Sequence, residues 1–153
     1  MDIRPAERGD LAAIVDMLAA DPLGAQRERP GDPPDPVYRE AFAAITAQQG
    51  NQVLVALDGV RVIGCLQLTF IPGLARCGML RAQIEAVRVI EDKRSAGIGE
   101  ALFRHAIALA REAGCGLVQL TSDKGRPDAH RFYDRLGFVA SHEGYKLMLG
   151  EGA

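Results

Sequence analysis

The sequence predicts an α/β (α+β) domain with a mixed sheet. Three observations carry that expectation. Asp58-Gly59 stands between two β-branched runs, which is a strong short-range hairpin signal. An apolar run from Ile84 to Ile90 leads through Arg94-Ser95-Ala96-Gly97-Ile98-Gly99 into a helix, so a strand and a helix are joined by a glycine turn. Between them, stretches of helical period alternate with strand-like runs over 153 residues, enough for a single domain over 1–153 with a proper core.

In order, residues 2 to 6 predict a short strand centred on Ile3. Asp10 stands at a helix N-cap, and Leu11, Ile14, Val15 and Leu18 follow on one face. The stretch from Asp21 to Pro36 carries five prolines and reads as a loop, long enough to be functional. Asp35-Pro36 opens a second helix, a cap with proline at the first helical position, and Tyr38, Ala41, Phe42 and Ile45 form its apolar stripe. Residues 52–57 and 60–70 form the hairpin, Pro72-Gly73 the next turn, and residues 80–90 a further strand.

A third helix runs from Gly97 to about Ala113, apolar at 98, 101, 102, 106, 109, 110 and 113, with Gly114 as its C-cap. Residues 117–121 predict a short buried strand. A last helix runs from Pro127 or Asp128 to Leu136-Gly137, and residues 138–141 and 145–149 predict two final strands. The expected total is about seven strands and about four helices.

Bulk properties exclude several classes. Apolar residues make up 48% and charged residues 25%, which fits a soluble globular protein. The net charge of −2 gives no bias toward nucleic acid or a membrane surface. The N-terminus reads as free of a signal peptide, and no apolar run has membrane-spanning length, so a cytoplasmic protein is expected. Cys65, Cys77 and Cys115 are odd in number and, like the three histidines, lack metal-ligand spacing, so no metal is expected.

The segment 94–99 predicts an anion cradle. Glycine lets backbone approach a ligand closely, and the first turn of a helix presents unpaired N–H groups at the positive end of its dipole. Arg94 adds a cation. Neither common nucleotide pattern fits. Leu102 stands where a dinucleotide fingerprint needs its third glycine, and Glu100-Ala101 replace the lysine and hydroxyl of a Walker loop. A tight turn with no ligand is the structural alternative.

The spacing Arg-x-x-Gly-x-Gly after a strand resembles motif A of the GNAT N-acetyltransferase superfamily. About thirty-five residues later, Phe132-Tyr133-Asp134-Arg135-Leu136-Gly137-Phe138 resembles its motif B. The resemblance implies a mostly antiparallel GNAT-like sheet flanked by helices. It implies acetyl-CoA as cosubstrate, an amine acceptor and a homodimer as a common assembly; a small-molecule amine is expected, because nothing in the chain looks like a peptide-docking domain. It also implies that the loop Arg94, Ser95, Ala96, Gly97, Ile98, Gly99 and Glu100 holds pyrophosphate, while backbone around Val87, Arg88 and Val89 holds the pantetheine arm and thioester.

Glu85 is the candidate base of that chemistry. Strict strand alternation places it on one face with Val87 and Val89, and a carboxylate among apolar neighbours suits a base working near neutral pH. The structural alternative is an ion pair with Arg81 or Arg88. Tyr133 is the candidate acid toward the departing thiolate, its alternative being aromatic packing beside Phe132. Arg126 stands where many relatives carry an asparagine that contacts the cofactor, so that contact is not carried over. Ser122, His130 and His142 each read as cleft-facing or as ordinary turn and surface residues. The alternative from another class is a non-catalytic acyl-CoA-binding or sensor module, which would keep the cradle without needing Glu85 and Tyr133.

Overall fold

The structure, a computed structural model, describes residues 1–124 and 127–150. They fall into two compact units, Met1–Gln119 and Leu120–Ala153. In the first, the elements are β1 (Asp2–Pro5), α1 (Leu11–Ala19), α2 (Pro22–Arg27), α3 (Pro36–Ala47), β2 (Asn51–Asp58), β3 (Arg61–Ile71), the single turn α4 (Ala75–Gly78), β4 (Arg81–Val89), α5 (Ile98–Glu112) and β5 (Leu117–Gln119). The strands form one sheet in sequence order, antiparallel throughout except for the parallel pair β4–β5.

Two layers of side chains sandwich the sheet. On β3, Gly64, Leu66 and Leu68 share a face by alternation. A Cβ on Gly64 would meet Leu102 at 3.0 Å and Ile98 at 3.1 Å, so this face lies against α5. Leu54, Ala82 and Ile84 join the same rows and are buried, as are Leu102, Phe103, Ala106 and Ala110 of α5. On the other face, Ile14 and Met17 of α1 pack on Val55, Leu57 and Cys65.

The cap of α3 follows the sequence, whereas Asp10 precedes α1 without capping it, its carboxylate turning back to the Glu7 N–H and Arg4. Asp35 accepts from the Val37 N–H at 3.0 Å, with Pro36 at the first position of α3. The proline-rich stretch differs from the expected loop, because it contains α2. Asp21 caps the Gly24 N–H, and Pro22 sits in the first helical turn, where its missing N–H costs nothing. Gly24 is sterically required, since a Cβ there would collide with the Leu18 carbonyl.

The second unit holds α6 (Pro127–Arg135). Gly137 at φ 93° ends it: Gly137 N–H donates to Asp134 O at 3.0 Å and Phe138 N–H to Tyr133 O at 3.1 Å, which satisfies two terminal carbonyls. Residues 138–141 and 145–149 are not strands, so the sheet has five strands rather than seven. Their alternating β-formers supply propensity, but a strand exists only through a partner. Val139, Tyr145, Leu147 and Leu149 are instead more than four-fifths exposed.

Candidate functional site

The cradle is built by a change of backbone sense. After β4, a 3-10 turn spans Glu91–Lys93, Arg94 is extended, and then Ser95 (φ 66°) and Gly97 (φ 80°) take left-handed conformations. Gly97 is the N-cap of α5. Its C=O accepts from Ala101 N–H at 3.0 Å, but it brings no side chain to the helix start. The N–H groups of Ile98, Gly99 and Glu100 therefore begin a helix that no side chain caps. A Cβ at Gly97 would meet nothing within 4 Å, so this backbone faces open space.

Local charges hold the turn still. Lys93 pairs with Asp58 at 3.1 Å, and Arg61 makes a two-pronged contact with Asp92 at 3.1 and 3.2 Å, tying the loop to the β2–β3 hairpin. The Arg61 guanidinium holds the Asp92 carboxyl below the usual carboxylate range. Ile98 is buried, which fixes the first turn of α5 from beneath. Glu100 is engaged by Arg104 at 2.7 Å, one turn along.

Next to the cradle, β4 leaves part of its edge unpaired. It pairs with β5 only from Arg81 to Gln83. Among the described residues, its stretch from Ile84 to Val89 has no strand on that side, so the edge offers main-chain donors and acceptors to a ligand.

A bulge changes which side chains share a face. Glu85 pairs with Gln67, yet Arg88 pairs with Cys65, so β4 carries one residue more than β3 across this interval. Ala86, at φ 54°, takes up the extra residue. The strict alternation expected for Glu85, Val87 and Val89 is thereby broken. Arg88 joins the face of Glu85, Gln67 and Cys65, while Val89, opposite Gly64, turns to the α5 side.

Glu85 is exposed rather than enclosed by apolar side chains, and it accepts from Gln83 Nε2 at 3.0 Å. Arg88 pairs with Asp21 at 3.4 Å, the carboxylate that also caps α2, so it ties that helix to the bulged strand. Arg88 Nη1 donates to Val87 O at 2.9 Å, whereas its Nε is buried without an acceptor among the described residues. Beside it, burial pushes the Cys65 thiol up to about 12, outweighing the pull of Arg88. Burial raises Cys115 as well. Neither presents a ready thiolate at neutral pH.

In the second unit, the half-buried Tyr133 stands edge-on to Phe132 (5.6 Å between centroids) and to Phe138 (6.2 Å). Arg135 lies over the Phe132 ring at 5.8 Å. His130 Nε2 is 3.1 Å from Asp123 O, and His142 Nδ1 is 2.7 Å from Ser141 Oγ, so both have local partners. Ser122 is half-buried. Arg126 lies outside the described residues.

Sequence reasoning missed the polar residues around Glu85. Asn51, Gln67, Thr69, Gln83 and Gln119 stand on neighbouring strands of the Glu85 face. The available signal was the period-two pattern Gln67-x-Thr69 and Gln83-x-Glu85, whose meaning depends on cross-strand register.

The acetyltransferase (GNAT) family model matches residues 14–138. The aminoalkylphosphonate N-acetyltransferase of Salmonella typhimurium is 32% identical over 105 residues, covering 69% of this chain and 68% of that protein. Among solved structures, a transcriptional regulator from Bacillus halodurans C-125 matches with TM-score 0.94 and 49% identity over 97% of this chain and 99% of its own. A Trypanosoma brucei acetyltransferase matches with TM-score 0.79 and 27% identity, again over 97% and 99%.

Proposed function

We infer, because the chain belongs to the acetyltransferase (GNAT) family and is an N-acetyltransferase, that it transfers the acetyl group of acetyl-CoA to a primary amine of a small molecule by direct attack on the thioester. The observation that carries the choice of cosubstrate is the uncapped start of α5 at Gly97 beside the unpaired edge of β4. A diphosphate needs converging N–H donors and positive charge, and residues 94–100 offer both. A pantetheine arm carries two amides, and the free main chain from Ile84 to Val89 suits them. This includes the backbone of Val87, Arg88 and Val89, whatever face their side chains take.

Acetyl-CoA supplies the activated acyl group, and the residues supply proton handling and position. Glu85 takes the proton from the attacking amine, directly or through one water, and its exposure leaves it accessible for that role. A backbone N–H near Val87 meets charge on the carbonyl oxygen. Tyr133 returns a proton to the thiolate. With burial keeping Cys65 protonated, direct attack needs no acyl-cysteine stage. A small-molecule acceptor is supported by the Salmonella relative, whose name gives aminoalkylphosphonates as its acceptors.

The test is a calorimetric titration with acetyl-CoA followed by a transfer screen against small amines. Binding and turnover are expected, and folded protein giving no heat and no competition would end this reading. Glu85→Gln is expected to lower turnover by about a hundredfold and to alter its pH profile, with acetyl-CoA binding retained. Full turnover by Tyr133→Phe would remove the acid role from Tyr133.

A second reading is favoured by one comparison. The Bacillus halodurans relative is named a transcriptional regulator, which suits an acyl-CoA sensor that binds without transfer. Acetyl-CoA binding with no turnover on any amine would select it.

A further inference from the structure

We propose that the acceptor lies along a strip of amide and hydroxyl side chains on the Glu85 face of the sheet, and that it is a small primary amine flanked by hydroxyl groups. The proposal rests on the acetyltransferase reading above and names the acceptor class for it.

The strip crosses four strands. Asn51 of β2 is opposite Thr69 of β3, Gln67 is opposite Glu85 of β4, Thr69 is opposite Gln83, and Gln83 is opposite Gln119 of β5. Five of these six residues are half-buried, and Glu85 is exposed. Their hydrogen bonds run side by side. Gln67 Nε2 and Thr69 Oγ1 donate to Asn51 Oδ1 at 3.0 and 3.2 Å, Gln83 Nε2 donates to Glu85 Oε2 at 3.0 Å, and Gln119 Nε2 donates to Gln83 Oε1 at 3.1 Å.

These bonds give the strip a direction. A carboxylate can only accept, so Glu85 draws the NH2 of Gln83 toward itself. That turns the Gln83 carbonyl to the NH2 of Gln119, and the Gln119 carbonyl is left for another donor. At the other end, Asn51 Oδ1 receives two donors while its NH2 donates to Gln48 Oε1 at 3.1 Å. Among the described residues, the network uses one N–H each from Gln67, Gln83 and Gln119. Their second N–H groups, with the carbonyls of Gln67 and Gln119, are donors and acceptors that these bonds leave over.

An ordinary sheet face does not require this arrangement. The same face beneath α1 is apolar, with Val55, Leu57 and Cys65 packed on Ile14 and Met17. Asn and Gln fit a pleated surface less well than β-branched residues, and half-buried amides are tolerated only when bonded. Here they adjoin the candidate base. A hydroxyl both donates and accepts, as a primary amide does, so an amine with neighbouring hydroxyls matches the strip. None of its six residues is cationic, which disfavours an anionic acceptor. Of the two arginines that border the strip on this face, Arg88 is engaged with Asp21, and the Arg81 guanidinium lies by the Gly73 turn.

The test compares serinol with isopropylamine, which has the same carbon skeleton without hydroxyls, alongside β-alanine as an anionic amine and putrescine as a dication. With acetyl-CoA, kcat/KM for serinol should exceed that for isopropylamine by about tenfold or more. In Gln67→Leu and in Gln119→Leu the ratio should fall toward unity, a comparison internal to each variant. On the unmodified protein, serinol but not isopropylamine should shift the glutamine side-chain NH2 signals in a proton–nitrogen correlation spectrum. Equal use of serinol and isopropylamine, a preference that survives both substitutions, or a preference for β-alanine or putrescine would overturn the proposal while leaving acetyl transfer standing. Acetyl-CoA binding with no transfer to any amine would overturn the acetyltransferase reading and this proposal with it.

Discussion

The starts of α2 and α3 are closed by the chain's own carboxylates, and the start of α5 is left open. Ahead of α1, Asp10 accepts from Glu7 N–H at 2.7 Å and pairs with Arg4 at 2.8 Å. Asp21 and Asp35 cap α2 and α3. At α5 the corresponding residue is Gly97, with no side chain to offer and open space where one would go. All these helix starts share the same electrostatics, a positive dipole end with orphan N–H groups. At α2 and α3 the chain supplies the anion itself. At α5 no side chain does so, and this difference is what supports the proposal of a phosphate-bearing ligand there.

The contrast can be broken directly. Gly97→Asp would place a carboxylate at the start of α5 and should weaken acetyl-CoA binding by about a hundredfold through charge repulsion, beyond the loss in Gly97→Asn, which carries the same strain of a side chain at φ 80° without the charge. Calorimetry measures this, and unchanged affinity would show that the open start is not a ligand site. Asp21→Ala should give the next largest effect, a loss of about 2–4 kcal/mol in urea unfolding, because it removes a cap and strands the mostly buried Arg88 guanidinium. Asp21→Asn, which keeps much of the cap, separates the two contributions.

Asp35→Ala should cost about 1 kcal/mol in the same assay and leave acetyl-CoA affinity unaltered, since Asp35 serves the start of α3 and a long, exposed pair with Arg29. The smallest effect concerns Asp10. Burial pushes its carboxyl up, but the Arg4 guanidinium and the Glu7 N–H outweigh burial and hold it below the usual range. Its stabilisation is therefore full above the unfolded value near 4 and fades as pH falls through the lower folded value. Asp10→Asn should flatten the melting-temperature profile between about pH 5 and pH 2.

Much of this was legible in residue order. Asp35-Pro36 and Gly137 each specify a local conformation by themselves and take it in the structure; Asp58-Gly59 marks the hairpin, whose loop falls one residue later at Gly59-Val60 because Asp58 pairs with Arg61. The strand–turn–helix order around Gly97 was readable for the same reason. Other features depend on contacts. Nothing about alanine announces a left-handed residue, so the bulge at Ala86 was hidden, and with it the turn of Arg88 onto the Glu85 face. The helix α2 was obscured because proline signals both loops and first turns. Residues 138–149 show the reverse case: their side chains suggest strands, yet pairing, not composition, makes a sheet. The polar strip needed the register of four strands before its members could be recognised as neighbours.

Gly64 gives the cradle its depth. With hydrogen in place of a methyl group, β3 lets Leu102 and Ile98 rest almost on its main chain, and the Arg88 carbonyl stands 3.2 Å from where that methyl would be. The helix is thus seated by an omission. A single added carbon would act as a shim under its first turns, lifting the open start of α5 away from the unpaired edge of β4.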